Sequence, residues 1–204
     1  MNHKEHAIYV LRDIRQSVRK DIEPVLKAYF DESQWLDKDV PGFWTLPRLL
    51  FPEIDGLARL RYGRQTDSGS ASDLVQFMRD YFPGEEYKKV SGFVYYIFRL
   101  GLLHSHFPKQ VLIDGRSYGW AVSLGQKKDT ELKMVGNDLM LDSVKLYNDF
   151  LAAIDKYMEE FSDPLKEKEL VDNFAKAFRS IHDPASVDRN YIKDSDIDFL
   201  KGNF

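Results

Sequence analysis

A chain of 204 residues that is 43% hydrophobic and 14% aromatic can bury one sizeable core, so a single domain, 1–204, is expected. It has no cysteine, which excludes disulfides, thiolate zinc sites and cysteine nucleophiles and fits a reducing cytoplasm. A net charge of −4 argues against a general polyanion binder. The charged start MNHKEHAIYVLRDIRQ carries no signal-peptide core, and no apolar run nears the ~18 residues of a membrane span, so a cytoplasmic protein without membrane contact is predicted.

Along residues 4–30, Ile8, Leu11, Val18, Ile22, Leu26 and Tyr29 form one helical stripe, with Pro24 predicting a kink or two helices meeting near Asp21. Residues 31–47, with Trp35, Phe43 and Trp44 among prolines and a glycine, read as an irregular connection whose aromatics pack down on the core. Leu49, Leu50, Ile54, Leu57, Ala58 and Leu60 predict a helix over 48–62, with Pro52 in its first turn and Gly63 at its end. The small-residue loop 63–72 leads to a short helix capped by Ser72 and broken by Pro83-Gly84.

The most apolar stretch follows, Tyr87 to Lys109. Val90, Phe93, Val94, Ile97 and Gly101 share a helical stripe, and Gly101 leaves room for another helix to approach. After Pro108 the period becomes two. Val111 and Ile113, a turn at Asp114-Gly115, then Tyr118, Trp120, Val122 and Leu124 predict a β-hairpin. Leu132 and Met134, a Gly136-Asn137 turn, then Leu139 and Leu141 predict a second one. The expectation is a mainly α fold with a small antiparallel β-hairpin insertion at about 110–141. Helix resumes at Asp142 or Ser143, and Asp163-Pro164 reads as the cap and first turn of a further helix carrying Leu170, Phe174, Phe178 and Ile181. Residues from about 183 to 204 are polar, with scattered Ile192, Ile197, Phe199, Leu200 and Phe204, and read as a tail.

Reactive side chains concentrate where the apolar helix ends, at Arg99, His104 and His106. On an ideal helix seven residues bring side chains within about 20°, whereas five set them about 140° apart, so spacing alone puts His106 on the face of Arg99. Pro108 disfavours helix at Phe107, which lets either histidine swing toward the arginine. Such a pair suits phosphodiester cleavage. A neutral imidazole takes the proton of an attacking 2′-hydroxyl, and a guanidinium holds the phosphate as charge develops. From Tyr87 to Lys128 there are seven Lys/Arg against the single acid Asp114, which makes Lys109 and Arg116 candidates for phosphate contact. The plain alternative gives Arg99 an ion pair and His104 a core hydrogen bond. On that alternative the chain is a purely structural helical protein, and Lys109 and Arg116 belong to a solvated face.

The string YYIFRLGLLHSHFPK, residues 95–109, resembles the Arg-x4–6-His motif of the HEPN superfamily (higher eukaryotes and prokaryotes nucleotide-binding). It is especially similar to stand-alone bacterial members with a Tyr/Phe-Arg-x-Gly-Leu-x-His block followed by Pro-Lys. The resemblance extends loosely back to about residue 43. It implies a helical bundle that forms a homodimer through the motif helix, pairing two copies of the Arg and His in one cleft. It also implies a metal-independent endoribonuclease that needs no cofactor, with RNA as substrate and, in toxin–antitoxin or phage-defence settings, an antitoxin or other protein partner. By position Arg99 contacts phosphate, and His104 is the catalytic histidine with His106 a second candidate. Active members often carry Asn, Asp or His directly after the arginine, where this chain has Leu100. Other members are non-catalytic modules that bind nucleotide, RNA or protein. His104, His106 and Asp114 could also be drawn as a metal set, but surface histidines are the simpler reading and no metal is expected. Tyr118 and Trp120 beside Arg116 could stack bases, although packing is the commoner use of such a hairpin.

Overall fold

The computed structural model describes residues 2–30, 44–64, 70–124 and 132–182. The expectations for Trp35 and Phe43, for Lys127 and Lys128, and for the tail at 183–204 lie outside the described residues.

Helix α1 spans His3–Phe30 and buries Ala7, Leu11, Val18 and Ile22. It runs through Pro24 without interruption, contrary to two helices meeting near Asp21. Pro24 offers no N–H to the carbonyl of Lys20, but both residues are exposed, on the side of the helix where a lost backbone bond costs least. Helix α2, Thr45–Tyr62, begins a turn earlier than expected, with Pro47 in its first turn and Pro52 in its interior. The first four N–H groups of a helix have no intrahelical acceptor, so Pro47 gives up nothing there. Gly63 ends α2 as expected. It is left-handed at φ 68°, its N–H bonds the Arg59 carbonyl, and a Cβ would lie 2.7 Å from Asn173 Oδ1.

Helix α2 is the central rod. Its Leu50, Phe51, Ile54, Leu57 and Ala58 are buried, and it packs against α1, α3 (Ser70–Tyr81), α6 (Ser143–Glu160) and α7 (Glu167–His182). Phe77, Phe150, Tyr157, Phe161 and Phe174 complete the core from the flanking helices. Helix α7 starts three residues beyond Pro164. The intervening turn is closed by the Asp163 side chain, which accepts from the Leu165 N–H at 3.0 Å, and by the Glu167 N–H on the Asp163 carbonyl at 2.9 Å.

Both expected hairpins form. Strand β1 (Val111–Ile113) pairs antiparallel with β2 (Arg116–Ser123), and β3 (Leu132–Val135) with β4 (Asp138–Asp142). The positive φ values demanded by such turns fall on Asp114, Gly115 and Gly136. The sheet they make is mixed rather than antiparallel. Its order is β1-β2-β4-β3, and β2 runs parallel to β4 with Trp120 opposite Leu139 and Val122 opposite Leu141. This register aligns the apolar sides of both hairpins into one face, where Leu139 and Leu141 are buried and Trp120 meets Trp44 edge-on at 5.1 Å. Asp142 then couples sheet to helix, accepting from the Lys145 N–H at 2.8 Å as the cap of α6 and from Ser123 Oγ at 2.5 Å. Among the described residues no helix is long and apolar enough to cross a membrane.

Candidate functional site

The motif segment begins as α4 (Glu86–Phe93), widens into a π-helical turn over Val94–Arg99 and ends as α5 (Leu100–Ser105). In the wide turn the Leu100 N–H reaches back five residues to the Tyr95 carbonyl. Val94, Tyr95, Ile97 and Phe98 are buried beneath it, while Tyr96 stays 55% exposed.

Beyond Ser105 the chain reverses. His106 adopts φ 63°, a conformation costly for a residue with a side chain, and Pro108 is buried. Residues 107–109 fold back across the helix, and the Lys109 N–H bonds the Ile97 carbonyl at 2.9 Å. A Cβ on Gly101 would lie 2.6 Å from both the Lys109 nitrogen and the Phe107 carbonyl oxygen. The close approach expected at Gly101 is therefore made by the chain's own return, not by another helix.

Arg99 is held from α2. Asp55 Oδ2 accepts from its Nε at 2.7 Å and lies 2.6 Å from Nη2, and the guanidinium carbon sits 5.5 Å from the Tyr95 ring centre. The remaining nitrogen, Nη1, lies 3.4 Å from Nε2 of His104. A guanidinium only donates, so a hydrogen bond across this long contact requires Nε2 as the acceptor. The Arg99 side chain is 17% exposed, whereas His104 faces solvent. The pair is thus a largely covered cation with an open imidazole at its edge.

Ideal-helix spacing favours His106 as the neighbour of Arg99, but the helix stops one residue short of it. His106 instead contributes its carbonyl, which accepts from the Arg48 guanidinium of α2, and its ring is exposed. Arg48 and Asp55 stand seven apart on one face of α2, so one helix holds both ends of the motif. Sequence reasoning missed them. The available signal was a cation and an anion at heptad spacing on a Leu-rich helix, with nothing to say which neighbour that face meets. Lys109 is engaged through its backbone with its side chain in solvent, and Arg116 is exposed at the start of β2, opposite Ile113. Among the described residues no group of three or more His, Asp or Glu side chains is arranged to hold a metal ion.

Fold and site together define a mainly helical protein with a small mixed sheet and an Arg–His pair at the end of its motif helix. Comparison with family models, with curated proteins and with solved structures found no match to the chain.

Proposed function

We propose that this chain is a metal-independent endoribonuclease of the HEPN kind, acting as a homodimer through its motif helix. The observation that carries this reading is the 3.4 Å approach of His104 Nε2 to Arg99 Nη1 at a solvent-facing edge. In the reaction His104 Nε2 takes the proton of a ribose 2′-hydroxyl. The 2′-oxygen then attacks the adjacent phosphorus, and the 5′-oxygen leaves with a proton from solvent or from His106. Arg99 Nη1 steadies the phosphate oxygens as charge builds, with Lys109 and Arg116 drawing the backbone in. The products are a 2′,3′-cyclic phosphate and a 5′-hydroxyl end. Tyr96 and Phe107, 55% and 62% exposed on either side of the motif, supply apolar surface for the dimer or for a covering antitoxin, as in a toxin or phage-defence system. Incubation of RNA with the purified protein in EDTA tests this reading. It predicts cleavage with cyclic-phosphate ends that Arg99→Ala and His104→Ala each reduce by ~10²-fold or more. Intact RNA in the presence of folded wild-type dimer rejects it.

A second reading is favoured by the grip of Asp55 on two nitrogens of Arg99 and by Leu100 beside it. On this reading the chain is a non-catalytic dimeric module of the same kind that binds nucleotide, RNA or a protein partner. RNA binding that survives His104→Ala, without cleavage products, selects it.

A further inference from the structure

Helices α1, α2 and α7 leave a groove where they meet. Val10 and Ile14 on α1, Leu57 and Leu60 on α2, and Phe178 and Ile181 on α7 stand three or four residues apart, so each pair lies on one stripe, and the three stripes line the groove together. Its volume is about 410 Å³, within the range of small-molecule sites. The α7 wall is braced from behind. The Phe178 ring stacks on Phe174 with centres 5.6 Å apart and meets His6 edge-on at 5.1 Å. Gly56 lines the α2 side. Glycine is disfavoured inside a helix relative to Ala, yet no positive φ calls for it here, and a Cβ would meet nothing within 4 Å. The effect of its missing side chain is to leave the groove open.

Two charges interrupt these apolar stripes. Asp13 falls between Val10 and Ile14, Glu53 falls one turn before Gly56 and Leu57, and both line the groove. No Lys or Arg lines it, and His182 is the other titratable side chain there. Among the described residues neither carboxylate has a hydrogen bond or an ion pair to a cation. Glu53 has the charge of Asp21 nearby instead, and partial burial followed by that charge pushes its carboxyl above the ordinary value. An apolar groove with this lining suits a molecule that brings its own positive charge. An anion would be repelled, and a neutral body would leave both carboxylates without a cation.

We propose that this groove binds a small organic cation, whose aromatic or branched aliphatic body fills the space over Gly56 and whose ammonium or guanidinium group reaches Asp13 and Glu53. The groove lies on another face of α2 from Arg48 and Asp55, and the assignment is independent of the ribonuclease reading.

Amide NMR titration of the full chain with phenylbutylammonium tests it, beside phenylbutanoate and phenylbutanol, which share the body but not the charge. Saturable shifts centred on Ile14, Gly56, Leu57 and Phe178 are expected, with an affinity about tenfold above that of the carboxylate. Asp13→Asn with Glu53→Gln is expected to remove this preference and leave the weaker binding of the alcohol unchanged. Gly56→Trp, which fills the space, is expected to abolish binding of all three without lowering the melting temperature. Equal affinity for ammonium and carboxylate, a preference that survives the double variant, or no saturable shift at these amides overturns the proposal. A groove that is already filled gives the last of these results. If a second copy fills it, the same amides shift with protein concentration; if residues 183–204 fill it, Gly56→Trp alone shifts the amides of that segment.

Discussion

Two arginines on neighbouring elements end in opposite arrangements. Arg61, near the end of α2, is 13% exposed and surrounded by protein: the Tyr81 hydroxyl accepts from Nε, Glu169 accepts from Nη1 at 2.9 Å, and Glu160 lies 3.9 Å away. Its guanidinium carbon stands 5.3 and 5.8 Å from the centres of the Tyr62 and Tyr81 rings. Arg99 has a comparable burial and a comparable tyrosine, but a single carboxylate on one side and an exposed imidazole on the other. The first arrangement directs its donors to bundle partners and ties α2, α3, α6 and α7 together. The second leaves a donor beside a proton acceptor that solvent and solute can reach. A buried arginine with partners is therefore not by itself evidence of a site. What separates the two is where the last nitrogen points.

The comparison breaks first on stability. Arg61→Ala is expected to cost about 2–4 kcal/mol in chemical denaturation, since it removes the guanidinium from a covered cluster in which the Tyr81 hydroxyl loses its donor and Glu160 keeps only Lys166 as a cation. A loss below half a kcal/mol would place Arg61 among surface residues. Gly101→Ala comes next, at about 1–3 kcal/mol, because a Cβ 2.6 Å from two backbone atoms forces residues 107–109 outward. The same push moves the turn at His106, so thermal melting and the position of the His106 amide resonance should both change.

Glu160 sharpens the contrast through pH. Burial alone would raise its carboxyl, but hydrogen bonds from Lys166 and Tyr81 and the charges of Lys166 and Arg61 together lower it. A carboxylate lowered in the fold stabilises the protein above its ordinary value of about 4.5 and loses that contribution as pH falls through the lowered one. Glu160→Gln should therefore cost about 1 kcal/mol at pH 7, and its stability curve should converge with the wild-type curve below about pH 4.5. Parallel curves down to pH 3 would remove Glu160 from the cluster. The smallest stability effect belongs to His104→Ala, within about 0.5 kcal/mol, as befits an exposed side chain at a helix end.

The bundle was legible where one stripe had one place to go. The runs of Leu50, Ile54 and Leu57 and of Leu170 and Phe174 are buried as their spacing demands, and Gly63, Asp114-Gly115 and Gly136 stand at the chain reversals. Periodicity names a face but not its neighbour. It cannot say that β2 runs beside β4, because Trp120 and Leu139 alternate correctly in either direction. Nor can it show the π-helical turn, which an apolar run such as VYYIFR accepts as readily as α. At the site the Arg99–His104 motif was readable as residue types at a spacing, and the ideal wheel pointed to His106 only because it assumed that the helix continued past Ser105. Asp55 and Arg48 were out of reach, since their roles depend on the angle at which α2 meets the motif segment.

On the proposed function His104 completes a site with Arg99, whereas Arg61 belongs to the core. The most direct test is the initial rate of RNA cleavage in EDTA by wild type, His104→Ala and Arg61→Ala, each normalised to its folded fraction. Expected are a loss of ~10²-fold or more for His104→Ala with an unchanged melting temperature, and a near-wild-type normalised rate for Arg61→Ala despite its lower melting temperature. Equal normalised rates for His104→Ala and wild type, or no cleavage by folded wild type, would contradict it.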